Sequence, residues 1–233
     1  FSKITLATTD MIQKELNFLE SVQHTNIISL IDKFRYNNYF CFVFSPFGFK
    51  LFENQNGRFT EKEAANLFHQ MLSAVYYLHE SGNYHGDISP DSFYICYEKL
   101  GEKDNALVQL VNFESLNSTN PVGTLGYQSP EIINNQSVNE KTDIWGLGCL
   151  LYQMLSNQIA FDPASPAYAA NVTNGNFNFP LLAILNISQD AQNMVANMLN
   201  TDPINRPSTK DLLDHQWFQQ MKGFRFHLIK CIL

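Results

Sequence analysis

HGDISPDS, residues 85–92, sets a histidine and an aspartate around a glycine, then adds a proline turn flanked by serines. What lies on either side gives this short run its meaning. Upstream, Thr60 followed by Glu63 forms a capping-box signature. Beyond it Ala64, Phe68, Met71, Val75 and Leu78 recur at helix spacing, and Ser81-Gly82 supplies the stop. Downstream, ALVQLVNFE (106–114) reads as a short strand with Asn112 at its end. A polar loop placed between a core-facing helix and a buried strand is where a scaffold positions chemistry.

Working outward, MIQKELNFLESV (11–22) carries Ile12, Leu16 and Leu19 at amphipathic spacing and predicts a short helix. NIISLIDKF (26–34) and YFCFVFSPF (39–47), separated by the turn YNN, predict an antiparallel strand pair closed by Pro46 and Gly48. Further on, IWGLGCLLYQML (144–155) is apolar on almost every side; too short to cross a bilayer, it predicts a central buried helix. ISQDAQNMVANML (187–199) and STKDLLDHQWF (208–218) predict two more helices. The chain is therefore strand-containing in front and helical behind, with no internal repeat.

Composition narrows the function classes. A chain of 233 residues with 45% hydrophobic and 13% aromatic content can bury one large domain or two unequal lobes. A net charge of −7 argues against a grip on nucleic acid backbone. Cys41, Cys96, Cys149 and Cys231 are dispersed and match neither a disulfide framework nor a zinc site, so no metal is expected. No signal-peptide pattern and no bilayer-length apolar run occurs, so a cytoplasmic location without a membrane span is the expectation. The acceptor-like NST (117–119) and NVT (171–173) then count as incidental.

Several ordered motifs together resemble the eukaryotic protein kinase domain of the serine/threonine type, from about Met11 to Gln219. HGDISPDS resembles the catalytic loop His-Arg-Asp-x-x-x-x-Asn, and GTLGYQSPE (123–131) the end of the activation segment. DIWGLGCLLYQML (143–155) resembles the Asp-x-Trp-x-x-Gly helix, and MLNTDPINRPSTKDLLDHQWF (198–218) the closing helices. The resemblance implies an α+β, bilobal fold. Residues 1–46 would be a partial, incomplete N-terminal lobe, 47–222 a mostly helical C-terminal lobe, and 223–233 a tail. It further implies that Asp87 is the catalytic-loop carboxylate, braced by His85 and contacted by Thr124. Phe44 would be the gatekeeper, with Ser45, Phe47, Ser92 and Asn112 around the nucleotide. Structural roles fall to Glu15, facing a strand lysine, to the ion pair Glu131–Arg206, and to Asp143, bonding the catalytic-loop backbone.

The departures from that pattern are pointed. Gly86 stands where the family has arginine, Ser89 where it has lysine and Ser92 where it has asparagine, while NFE (112–114) replaces Asp-Phe-Gly. Asn112 presents magnesium no anionic oxygen, the shorter neutral Ser92 has weaker reach to a second metal, and Glu114 adds negative charge near the phosphates. No glycine-rich loop precedes residue 11, and Lys3 is the one early lysine that could stand for the strand lysine. The favoured expectation is a pseudokinase: not an enzyme, needing no cofactor, and serving as a protein-binding scaffold or assembly module. The alternative is a divergent serine/threonine kinase using Asp87 with ATP and Mg or Mn. A third reading is a nucleotide-sensing module that binds weakly without transfer.

Overall fold

The structure, a computed structural model, describes residues 6–37, 39–45, 48–53, 55–97, 106–119 and 123–220. Lys3, Phe47 and the 223–233 tail, on which expectations fall, lie outside these residues. Helix α1 (Leu6–Ser21) starts earlier than its apolar spacing predicts and buries Leu16, Phe18 and Leu19. Strands β1 (Leu30–Tyr36) and β2 (Tyr39–Phe44) pair antiparallel from Leu30↔Phe44 to Tyr36↔Tyr39. The front of the predicted first strand does something else. Ile27 and Ile28 are consecutive and both buried, which one half-solvated hairpin cannot achieve. They leave the hairpin and dock on the second sheet, where the Ile28 N–H donates to Leu110 O at 3.0 Å. That sheet orders β3 (Phe49–Lys50), β4 (Phe93–Tyr97) and β5 (Ala106–Leu110), all antiparallel.

Behind the sheets lies the helical body. Helix α2 (Glu61–Glu80) opens with the full capping box, Thr60 and Glu63 each bonding the other's backbone amide. Its inner face is buried along its whole length, and Gln70 ties it to the Val108 amide and Ala106 carbonyl of β5. After the short α3 (Pro130–Ile133), α4 (Glu140–Ser156) is buried on nearly every side. Its Gly146 admits no side chain, because a Cβ would sit 2.6 Å from the Ile88 carbonyl oxygen. Glycine there lets the loop carrying Asp87 lie directly on the helix.

The remaining helices are α5 (Tyr168–Asn174), α6 (Pro180–Ile184), α7 (Gln189–Met198), α8 (Thr209–Leu213) and α9 (Gln216–Gln220). The stretch predicted as one helix over 208–218 is thus two, broken at Asp214-His215. The break accompanies burial of Trp217, whose indole Nε1–H donates to Glu61 Oε1 at 2.8 Å. Glu61 also accepts from the Ser188 amide at 2.9 Å and from the Ser188 hydroxyl, joining the starts of α2 and α7 to α9. The whole is an α+β, bilobal fold with a small strand-rich front lobe and a mostly helical rear one. Among the described residues, no helix is long and apolar enough to cross a membrane.

Candidate active site

The loop between α2 and β4 is held through its backbone. The buried Asp143 carboxylate, from the first turn of α4, accepts the His85 and Gly86 amides at 2.8 Å each. It also bonds His79 Nε2 at 2.9 Å. The His85 ring spans the loop. Its Nδ1 accepts the Asp87 amide at 3.3 Å and its Nε2–H donates to Val111 O at 3.0 Å. With both ring nitrogens occupied, His85 braces the loop and is not placed to shuttle a proton. Next to it the Phe113 ring is buried, 5.4 Å from His85 and 4.9 Å from Phe18 between ring centres. This row of rings links α1 to the loop.

Asp87 is half-buried, and Oδ1 receives both the Thr124 amide (2.9 Å) and the Thr124 hydroxyl (2.8 Å). Among the described residues, no group donates to Oδ2. The carboxylate is therefore oriented through one oxygen and free at the other. Ser92 faces inward: its hydroxyl donates to Asp87 O at 2.7 Å and accepts the Ser89 amide at 3.2 Å. Both serines are buried, so neither projects toward a phosphate. Asn112 is exposed at a left-handed φ of 64°, a conformation asparagine tolerates.

A cavity of about 370 Å³ opens beside this loop, within the range of small-molecule pockets. Phe44, Ile28 and Phe113 give it apolar walls; Asn112, Glu15 and Lys50 supply polar ones. Ser45 lies at its strand end, bonded through its amide to Ser29 O at 2.9 Å. At the rim, Lys50 Nζ pairs with Asp91 Oδ1 at 2.7 Å, a contact no sequence spacing announced. Glu15 reaches the cavity from α1. Burial, then the Glu114 charge, push its carboxyl above the usual range, while the Phe113 amide pulls the other way. No described Lys or Arg forms an ion pair with Glu15, and Lys3 lies outside the described residues.

Away from the cavity, Arg206 grips Glu131 through two parallel bonds, Nη1 to Oε1 at 2.7 Å and Nη2 to Oε2 at 2.8 Å. Both residues are buried, and the guanidinium lies 5.1 Å from the Trp145 ring centre. Desolvation alone would raise the Glu131 carboxyl, but the Arg206 bonds and charge outweigh it and the net direction is down.

The donors present fit a nucleotide pocket. For a magnesium ion, Asn112 offers a neutral amide oxygen, whereas the Ser92 hydroxyl is spent on the loop backbone.

Comparison with known proteins gives the arrangement its context. The family model described as protein kinase domain matches residues 2–218. The "Probable serine/threonine-protein kinase fhkD" of Dictyostelium discoideum is 34% identical over 91% of this chain and 31% of its own length. The "Serine/threonine-protein kinase cds1" of Schizosaccharomyces pombe is 30% identical over 90% of this chain and 48% of its own. A solved structure of the Rad53 kinase domain superposes with a TM-score of 0.78 at 26% identity, covering 94% of this chain and 77% of that one. The chain spans about a third of the length of the first of these curated relatives.

These findings correct the expectation that the chain is not an enzyme: relatives 30–34% identical over about nine-tenths of it are named as kinases. They likewise leave the expectation of no cofactor without support, since kinases imply ATP with magnesium. The physical reason lies in the loop. Ser89, Ser92 and Asn112 depart from the family by residue type, yet the Asp87–Thr124 geometry and the Asp143 anchor persist.

Proposed function

We propose that this chain, which belongs to the protein kinase domain family, is a divergent serine/threonine protein kinase domain that transfers the γ-phosphoryl group of ATP to a protein hydroxyl. The observation that supports this most is Asp87, fixed through Oδ1 by Thr124 with Oδ2 left for a substrate. An acceptor hydroxyl bonded to Oδ2 is aligned for attack, and Asp87 takes its proton as the new oxygen–phosphorus bond forms. The bond to the β–γ bridging oxygen breaks, and ADP leaves with the electron pair. Holding the acceptor in line contributes most in a reaction that asks for little covalent chemistry from protein.

The cavity walled by Phe44, Ile28 and Phe113 takes the base, and Asn112 faces the phosphate end. Magnesium, when bound, neutralises charge on the phosphates, and Asn112 would hold it with a neutral oxygen in place of an anionic one. Transfer is accordingly weaker than a carboxylate there would allow. The acceptors are serine or threonine hydroxyls of protein partners.

The test compares the purified chain with Asp87→Asn, using ATP with magnesium or manganese and a broad panel of serine/threonine peptides. The substitution keeps the Thr124 contacts and removes the base, so transfer should fall by about 100-fold or more. Absence of transfer by the unaltered chain with both metals would refute the proposal.

A further inference from the structure

Four consecutive amides carry the loop that presents Asp87, and each has a partner. His85 and Gly86 donate to Asp143, and Asp87 donates to the His85 ring. The first of the four, Tyr84 N–H, donates to Asn117 Oδ1 at 2.9 Å, from a residue 33 positions away. Asn117 returns the bond: its own amide donates to Tyr84 O at 3.0 Å. Its side-chain amide nitrogen donates to Asn83 Oδ1 at 2.6 Å, and the Tyr84 hydroxyl donates to Ser118 O at 3.1 Å. One asparagine thus pairs with both backbone groups of Tyr84 and with the residue before it.

The position requires this residue type. Asn117 sits at φ 53°, in the left-handed region where asparagine is among the few side chains tolerated. Gly86 completes the fit, because a Cβ there would come within 2.8 Å of the Ser115 carbonyl oxygen. The Ser115–Ser118 turn therefore rests on the catalytic loop with no side chain between them. Asn112 at the cavity and Thr124 on Asp87 flank the same stretch of chain.

We propose that Asn117 is a positioning residue for phosphoryl transfer, a second anchor of the Asp87 loop beside Asp143. The proposal rests on the kinase reading above. Every group in this clasp is neutral: Asn117, Asn83, Tyr84 and Ser118. The clasp's hydrogen bonds join neutral groups, so they need neither a phosphate nor a basic receptor and are insensitive to ionic strength. Asp143 fixes the loop against the helical body; Asn117 fixes it against the segment that bears Asn112 and Thr124.

The experiment uses the full chain with Asn117→Gly, which keeps the positive φ and removes the side chain. Asn117→Asp, which keeps the acceptor for Tyr84 and loses the donor to Asn83, is its partial rescue. Amide hydrogen exchange at Tyr84 and Thr124 is followed together with kcat and KM. In Asn117→Gly, which loses the side-chain bonds to both Tyr84 and Asn83, exchange at both amides should quicken and kcat should fall, each about tenfold or more. KM for ATP should stay within about twofold, because the cavity walls are untouched, and Asn117→Asp should lie between. A lowered melting temperature with kcat and Thr124 exchange unchanged would make Asn117 merely structural and overturn the proposal. If the unaltered chain transfers nothing, the kinase reading falls and takes the role in transfer with it. If the unaltered chain is active and Asn117→Gly equally so, only the positioning role falls.

Discussion

Asp143→Asn (D143N) exchanges one carboxylate oxygen for a nitrogen at a site with no solvent exposure, where three donors converge. With the amide oxygen kept toward His85 and His79, the new NH₂ group faces the Gly86 N–H, donor against donor. That leaves a buried amide unsatisfied, at a cost of about 1–3 kcal/mol. The two surviving bonds lose their charge assistance, about 1 kcal/mol each. The sum is roughly 3–5 kcal/mol, which in a chain of this size lowers the melting temperature by roughly 6–20 °C. The loss should be local as well as global, so the His85 and Gly86 amides should exchange faster than those of α2. Calorimetry and urea titration give the total, and residue-resolved exchange gives the location. A D143N protein within about 1 kcal/mol of the parent would refute the view that this carboxylate carries the loop.

Two further predictions concern charge. Glu131 titrates lower in the folded chain than in the unfolded one, so its pairing with Arg206 contributes stability above the ordinary glutamate range and loses it as pH falls through the folded value. Arg206→Met removes the main lowering partner and leaves desolvation dominant, so the Glu131 contribution should reverse sign and weaken the fold as pH rises above the ordinary glutamate value; urea midpoints at a series of pH values decide this. Asn112→Asp puts an anionic oxygen where the neutral amide lines the cavity, and aspartate tolerates the same left-handed backbone. The magnesium concentration for half-maximal transfer should fall about tenfold, and an unchanged magnesium titration would contradict the placement of Asn112 at the phosphates.

How far the sequence could be read depended on how local each signal was. Helix α2 was legible because its capping box and apolar period are self-contained, and α4 because its run is apolar throughout. Strand β3 was not: two residues carry no period, and their pairing is supplied by β4, more than 40 positions on. Ile27 and Ile28 read as strand by type, yet consecutive burial took them to another sheet. At the site, Asp87, Thr124, Asp143 and the pair Glu131–Arg206 were found from motif positions. The inward turn of Ser92 and the bonds of Asn117 were missed, because serine and asparagine in a polar loop look like ordinary surface. A residue at positive φ beside the Asp87 loop was the available signal, and only backbone geometry reveals it.

The Glu61 junction has a consequence for how the chain is made. The glutamate opens α2, yet its indole donor is Trp217, 156 residues later. At about 5–20 residues per second of synthesis, the carboxylate waits roughly 8–30 s for that partner. Through that interval α2 can form and pack on β5, since Gln70 and its strand partners are made early. The base of the helical body stays open until α9 arrives. A nascent chain halted before Trp217 would expose the apolar face of α2 that Trp217 covers beside Phe68.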